Sequence, residues 1–227
     1  MSRYLALVPA AGHGSRFGAP SPKQYLQLNG RPLMWHTLQA LAAVPAVETV
    51  AVVISPCDEW FDDFDWDIPK LQVLRAGGVS RAESVRNGLE ALDCADDDWV
   101  LVHDAARCCL TADAVERLLA EVGDDPVGGL LALPVPDTVK RADAEQRVAV
   151  TVSRAGLWLA QTPQMFRRGK LREALQGGDL ADVTDEASAI ERCGGKPRLV
   201  EGDAQNFKVT YPRDLALARA VLAARKD

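Results

Sequence analysis

Arg16 and Lys23 sit in a segment rich in small residues, Val8-Pro9-Ala10-Ala11-Gly12-His13-Gly14-Ser15-Arg16-Phe17-Gly18, which continues through Pro22-Lys23-Gln24-Tyr25. Small side chains let a backbone approach a polyphosphate closely, and the amides of such a turn point donors at anionic oxygens. Arg16 and Lys23 would add fixed positive charge. The same residues also suit a flexible strand-to-helix turn with two solvated cations. Two familiar phosphate loops are excluded. A dinucleotide fingerprint beginning at Gly12 needs Gly or Ala at position 17, where Phe17 stands, and the Gly-Lys-Ser/Thr of a P-loop is absent.

Two further segments have the same strand-to-loop character. Gly77-Gly78-Val79-Ser80-Arg81-Ala82-Glu83-Ser84-Val85 carries a capping-box pattern at Ser80 and Glu83, and so offers a helix N-terminus to a polar ligand or forms an ordinary capped turn. His103-Asp104-Ala105-Ala106-Arg107 places a carboxylate and a cation at the end of an apolar run. Asp104 could hold magnesium bound to substrate phosphates, since that ion needs only one or two protein carboxylates, or it could form an ion pair with Arg107. Arg154, Thr162-Pro163-Gln164, Thr184-Asp185-Glu186 and Asn206-Phe207-Lys208-Val209-Thr210 are polar clusters that taken singly read as caps or turns. His13, His36 and His103 are too scattered for a metal site, and Cys108-Cys109 reads as buried rather than reactive.

The elements that must position these residues alternate. Leu5 to Val8, Val50 to Ile54, Val100 to Val102 and Leu130 to Val135 are short apolar runs that read as buried strands. Between them Leu33, Leu38 and Leu41, then Val85, Leu89 and Leu92, then Val115, Leu118 and Leu119 are spaced for one buried helical face. Thr111 starts the third of these helices and Pro212 starts a closing helix to about Ala224. Such alternation predicts an α/β fold with a largely parallel, doubly wound sheet, whose ligand site lies outside the carboxyl ends of the strands. Asp137 to Ser153 departs from it: polar, with Val139, Val148, Val150 and Val152 alternating, it reads as a protruding β-ribbon too poor in apolar surface to stand alone.

Composition narrows the function further. A chain of 227 residues, 48% hydrophobic and 26% charged, is expected to form one globular domain over 1–227, with an arm at about 137–157. Lys and Arg number 26 against 32 Asp and Glu, a net charge of -6 that disfavours nucleic acid and anionic membranes as partners and makes any phosphate binding local. Five cysteines without zinc spacing fit a reducing cytoplasm. No apolar run approaches the ~20 residues needed to span a bilayer, and the first run feeds a glycine loop rather than a signal cleavage site.

The order of the blocks PAAGHGSRFG with PKQY, GGVSRAESV, HDAAR, DTVKR, TPQ, TDEAS and NFKVT resembles the 2-C-methyl-D-erythritol 4-phosphate cytidylyltransferase family of the non-mevalonate isoprenoid pathway, from Leu5 to the last helix. The resemblance implies a Rossmann-like nucleotidyltransferase fold and a magnesium-dependent reaction joining CTP to a sugar-alcohol phosphate with release of pyrophosphate. By the same resemblance Ala10, Ala11, Gly12 and Gly14 wrap the nucleotide with Asp104 and Ala105 beside it. Arg16 and Lys23 contact its phosphates and stabilise the transition state, and Gly78 and Ser84 read cytosine. Arg107, Thr138, Thr184 and Thr210 bind methylerythritol phosphate, while Arg154 and Lys208 aim its phosphate. Thr138 and Arg154 come from the ribbon of the second subunit of a homodimer. A phosphate monoester is already an anionic nucleophile, so alignment and electrostatics are expected to dominate, with no catalytic base and no covalent enzyme intermediate.

Two features qualify the resemblance. The family pattern runs HDAARP, and Cys108 takes the proline's place. The cyclodiphosphate synthase domain fused to some relatives is not expected. The rival readings are a cytidylyltransferase for another polyol phosphate, such as ribitol 5-phosphate, and a non-catalytic nucleotide-binding module. The second of these would lack Arg16 or Lys23, and both are present.

Overall fold

The computed structural model describes residues 2–12, 21–177 and 179–225. The chain opens with β1 (Tyr4–Pro9), a small hairpin of β2 (Gln27–Leu28) and β3 (Arg31–Pro32), and α1 (Leu33–Ala42). It continues through β4 (Val47–Val53), β5 (Leu71–Leu74), α2 (Arg81–Ala91), β6 (Trp99–Val102), α3 (Ala112–Val122) and β7 (Gly129–Pro134). A ribbon of β8 (Val139–Ala142) and β9 (Val148–Val152) precedes β10 (Trp158–Arg167), α4 (Arg168–Gln176), α5 (Glu186–Arg192), β11 (Arg198–Glu201) and α6 (Pro212–Ala224).

Seven strands form the main sheet in the order β11-β7-β10-β6-β1-β4-β5. All its pairings are parallel except those of β10, which runs antiparallel to both β6 and β7. The unbroken apolar run of β1 is explained by burial on two faces. Ala6 and Val8 pack with Met34 and Leu38 of α1 and Val115 and Leu118 of α3. Leu5 and Leu7 pack on the opposite face with Val85 and Leu89 of α2 and Leu171 of α4. Each leucine so buried contributes about 1.5 to 3 kcal/mol, which makes this layer the rigid floor of the site.

The start signals hold, with one change. Ser80 and Thr111 accept the amides of Glu83 and Ala114, and Pro212 occupies the first turn of α6. Glu83, however, does not close a capping box on Ser80: its carboxylate accepts the Val79 amide at 2.8 Å, one residue earlier, because the loop turns back over the helix end. The strand expected at Leu130 to Val135 is observed one residue earlier at both ends. Strands β8 and β9 pair as the expected ribbon, with Val148 and Val150 exposed. Cys108 and Cys109 are buried beside Leu28, Leu33, Val209 and Ala218. No helix among the described residues is long and apolar enough to cross a membrane.

Candidate active site

The carboxyl ends of β1, β4 and β6 open onto a cleft of about 910 Å³. Strand pairing carries one residue past β1, the Ala10 amide donating to Val53 O at 2.8 Å. Buried Gln24 then donates to Ala10 O at 2.7 Å and to Gly12 O at 3.1 Å, so the small-residue loop begins on a fixed anchor. The short turn Lys23–Tyr25 that carries Gln24 also brings Lys23 to the cleft, where its ammonium donates to Val209 O at 3.0 Å. Ala10, Ala11 and Gly12 line the cleft with Lys23. Gly14 and Arg16 lie outside the described residues.

The opposite wall is the loop before α2. A Cβ on Gly77 would stand 2.3 Å from Ala11 Cβ and 2.9 Å from Ile54 O, so only glycine lets the two loops touch. Ser84 accepts the Gly78 amide at 3.0 Å and donates to Ser80 O at 2.8 Å, which holds the loop in shape from within. Gly78 and Ser84 therefore line the cleft on a preformed turn.

Between the walls the end of β6 carries an ionic cluster. The His103 imidazole is fully buried, and burial pulls its pKa down to about 4 despite the nearby Asp104 charge. Its Nε2 faces Arg107 O at 3.3 Å, an acceptor only, so the neutral ring carries its proton there and Nδ1 accepts from the Thr162 hydroxyl at 2.9 Å. The same hydroxyl accepts the Asp104 amide at 3.1 Å. Asp104 is thus placed by β6 and β10 together, since β10 enters this edge with its N-terminal half.

Three cations surround the Asp104 carboxylate: Arg81 Nε at 2.9 Å on one oxygen, Lys208 Nζ at 3.0 Å and Arg107 Nε at 3.4 Å on the other. Burial pushes this carboxyl up, but the charges of Arg81, Lys208 and Arg107 outweigh it and hold the group well below the usual carboxylate range. Arg81 also grips Glu186 with two bonds, 2.6 and 3.0 Å. Burial lowers Arg81, and Glu186 with Asp104 more than compensates, keeping it protonated. Beyond this cluster lies a second chamber of about 190 Å³, lined by Arg107, Gln161, Thr162 and Thr184. It shares Arg81, Asp104 and Lys208 with the large cleft, so the two spaces adjoin at the ions.

Asp104, Glu186 and Glu83 do not fit a resident magnesium ion. Both Asp104 oxygens are taken by cations, Glu186 is spent on Arg81, and Glu83 is tied to the Val79 amide and to Arg86.

The structure gathers Lys23, Asp104, Ala105, Arg107, Thr184 and Lys208 around the two spaces. It does not gather Thr138, Arg154 or Thr210 within the chain, since none of them lines either space. Arg154 instead donates to Pro136 O at the root of the ribbon, and Thr138 is exposed at its start. Thr210 bonds Lys208 O at 3.2 Å through its hydroxyl. Arg81, Glu186, Gln24, Gln161 and Thr162 join the site although residue type and order alone assign them no more than turn or cap roles. Arg81 had one usable signal: a cation in the first turn faces the positive end of the helix dipole, at a cost of about 0.3 to 1 kcal/mol, unless tertiary carboxylates offset it.

Comparison with known proteins places the chain in a family. Residues 4–224 match the family model described as 2-C-methyl-D-erythritol 4-phosphate cytidylyltransferase. The chain is 74% identical over 223 residues to the protein of that name from Chromobacterium violaceum, covering 98% of this chain and 99% of the relative. It is 66% identical to the one from Laribacter hongkongensis, covering 98% of this chain and 97% of that one. Among solved structures, a 4-diphosphocytidyl-2C-methyl-D-erythritol synthase superposes with a TM-score of 0.87 at 41% identity, over 98% of this chain and 99% of that one. The Francisella tularensis 2-C-methyl-D-erythritol 4-phosphate cytidylyltransferase gives 0.83 at 35% identity, over 97% of this chain and all of that one. These likenesses identify the fold as the Rossmann-like nucleotidyltransferase fold. Because the matched segment runs from the first residue of β1 to the last of α6, the whole architecture is accounted for, and the chain belongs to the 2-C-methyl-D-erythritol 4-phosphate cytidylyltransferase family of nucleotidyltransferase enzymes.

Proposed function

We propose that this enzyme joins CTP to 2-C-methyl-D-erythritol 4-phosphate, giving 4-diphosphocytidyl-2-C-methyl-D-erythritol and pyrophosphate. The observation that carries the reading is the pair of adjoining spaces that meet at Asp104, Arg81 and Lys208, one large enough for a nucleoside triphosphate and one small and cation-lined. An oxygen of the substrate phosphate attacks the α-phosphorus in line as the bond to the β-phosphate breaks, and pyrophosphate leaves with the electron pair. Both reactants are anions, so cations do most of the work.

Ala10, Ala11, Gly12 and Gly14, with Ala105, wrap the nucleotide, and Gly78 and Ser84 form its base end. Arg16 and Lys23 stabilise charge on the phosphates. Lys208 sits where the spaces join and aims the attacking phosphate, with Arg107 and Thr184 beside it in the smaller chamber. Magnesium is proposed to enter on the triphosphate, held by phosphate oxygens and water, where it would neutralise phosphate charge.

Thr138 and Arg154 are proposed to serve a partner subunit's site through the ribbon, with Thr210 supporting Lys208 from the same loop. The assembly is a homodimer of single nucleotidyltransferase domains, each with an arm at about 137–157. A cytoplasmic location goes with the reading, supported by five cysteines that form no disulfide. Pyrophosphate release from CTP tests the function. Release should require methylerythritol phosphate, and a higher rate with ribitol 5-phosphate would transfer the assignment to the rival polyol.

A further inference from the structure

Glu186 is the first residue of α5 and is 1% exposed, yet neither of its oxygens faces a backbone donor of its own helix. Both accept from one guanidinium, Nη1 at 2.6 Å and Nη2 at 3.0 Å of Arg81. This grip leaves Nε of Arg81 for Asp104 Oδ1. Asp104 Oδ2 is then free of Arg81 and serves Lys208 at 3.0 Å, with Arg107 farther off at 3.4 Å. The pair also ties the loop of the nucleotide cleft, which leads into α2, to the Thr184-Asp185 wall of the smaller chamber, which leads into α5. Three cations share two carboxylates, so the cluster holds one net positive charge.

We propose that Glu186 is a positioning residue for the transfer. By occupying both outer nitrogens of Arg81, it prevents Arg81 from seizing Asp104 with a two-pronged grip and leaves Asp104 to hold Lys208 at the mouth of the smaller chamber. A carboxylate that kept only the protein folded would have no bearing on where Lys208 stands.

The inference rests on the smaller chamber taking the polyol phosphate, and the sign of one effect tests it. Glu186→Gln raises the cluster to two net positive charges, which by attraction alone would lower KM for an anionic substrate. Loss of positioning acts the other way: KM for methylerythritol phosphate should rise about tenfold or more while KM for CTP stays within about twofold. A merely structural role would lower Tm and the active fraction without moving either KM. Arg81→Lys keeps the charge but cannot take Asp104 with two nitrogens, so adding it to Glu186→Gln should reverse most of the KM rise of the single variant. Glu186→Asp, which retains the charge, should recover part of the loss.

An unchanged or lowered KM in Glu186→Gln, or a double variant with a KM no lower than that of Glu186→Gln, overturns the proposal. If Glu186→Gln does not fold, an unmoved KM in Glu186→Asp, whose shorter side chain loosens the grip on Arg81, overturns it equally. A wild-type enzyme that releases no pyrophosphate sinks the functional reading and this inference together, whereas an active wild type with unmoved variants sinks the inference alone.

Discussion

Lys23 and Val209 lie 186 positions apart, and the Lys23 ammonium donates to the Val209 carbonyl at 3.0 Å. The Val209 amide in turn donates to Ala106 O at 2.9 Å, on the loop that follows Asp104. One residue thus links the first phosphate loop, the end of β6 and the segment carrying Lys208. Lys23 is held at the rim of the cleft before any ligand arrives, as a preorganised donor should be.

Removing a donor that acts on developing charge typically costs about 10² to 10³ in turnover, roughly 3 to 4 kcal/mol. Lys23→Ala and Arg16→Ala should therefore stay folded and lose mainly kcat. Steady-state rates at saturating CTP and methylerythritol phosphate check this, and near wild-type turnover in either variant would remove that residue from the catalytic step.

Two glycines of the cleft should differ sharply. A Cβ on Gly77 meets Ala11 Cβ at 2.3 Å and the Ile54 carbonyl at 2.9 Å, whereas a Cβ on Gly12 meets nothing within 4 Å among the described atoms. Gly77→Ala must push two backbone segments apart, at about 1 to 3 kcal/mol of stability, and should raise KM for CTP. Gly12→Ala should melt within about 2 °C of wild type. Thermal melts of the two variants give the comparison, and equal stability would contradict the contact between the loops.

His103 makes acid stability specific to one residue. Its folded pKa, about 4, lies below the reference value of 6.5, so between these limits the unfolded chain binds a proton that the folded chain refuses. Stability from this group is complete above pH 6.5 and is lost as pH falls toward 4, by up to about 3 kcal/mol. The carboxylate of Asp104, also held below its ordinary value, loses its contribution only at lower pH. Urea melts at pH 7 and pH 5 should show wild type losing about 2 kcal/mol more than His103→Gln. Parallel losses would mean that the imidazole is not buried as a neutral ring.

The shared site can be tested by mixing inactive chains. Arg16→Ala and Arg154→Ala homodimers should each be nearly inactive. After random subunit exchange, half of the dimers are hybrids, and each hybrid has one site with both lesions and one with neither. About a quarter of wild-type activity should return. If exchange is confirmed by mass spectrometry and no activity returns, Arg154 serves its own chain and the ribbon does not complete a neighbour's site.

The sheet was legible in the letters because its evidence is local. Leu5 to Val8 must be buried on both faces wherever it lies, and Ser80 and Thr111 cap their helices through bonds to residues three positions on. Strand β10 was not legible, because Gln161, Thr162 and Gln164 interrupt its apolar pattern with side chains that find their partners on β6, α5 and the Asp203 loop. The blocks that carry Lys23, Asp104 and Lys208 could be picked out by residue type and order alone. The pairing of Asp104 with Arg107, three positions apart, was legible too, but not that Arg81 and Lys208 would join them, nor that Glu186 would hold Arg81 from 105 positions away. An ion pair leaves no periodicity in a sequence, and any of 26 cations could meet any of 32 carboxylates. Only the folded sheet, by bringing the end of β6, the first half of β10 and the starts of α2 and α5 to one edge, selects which of them do.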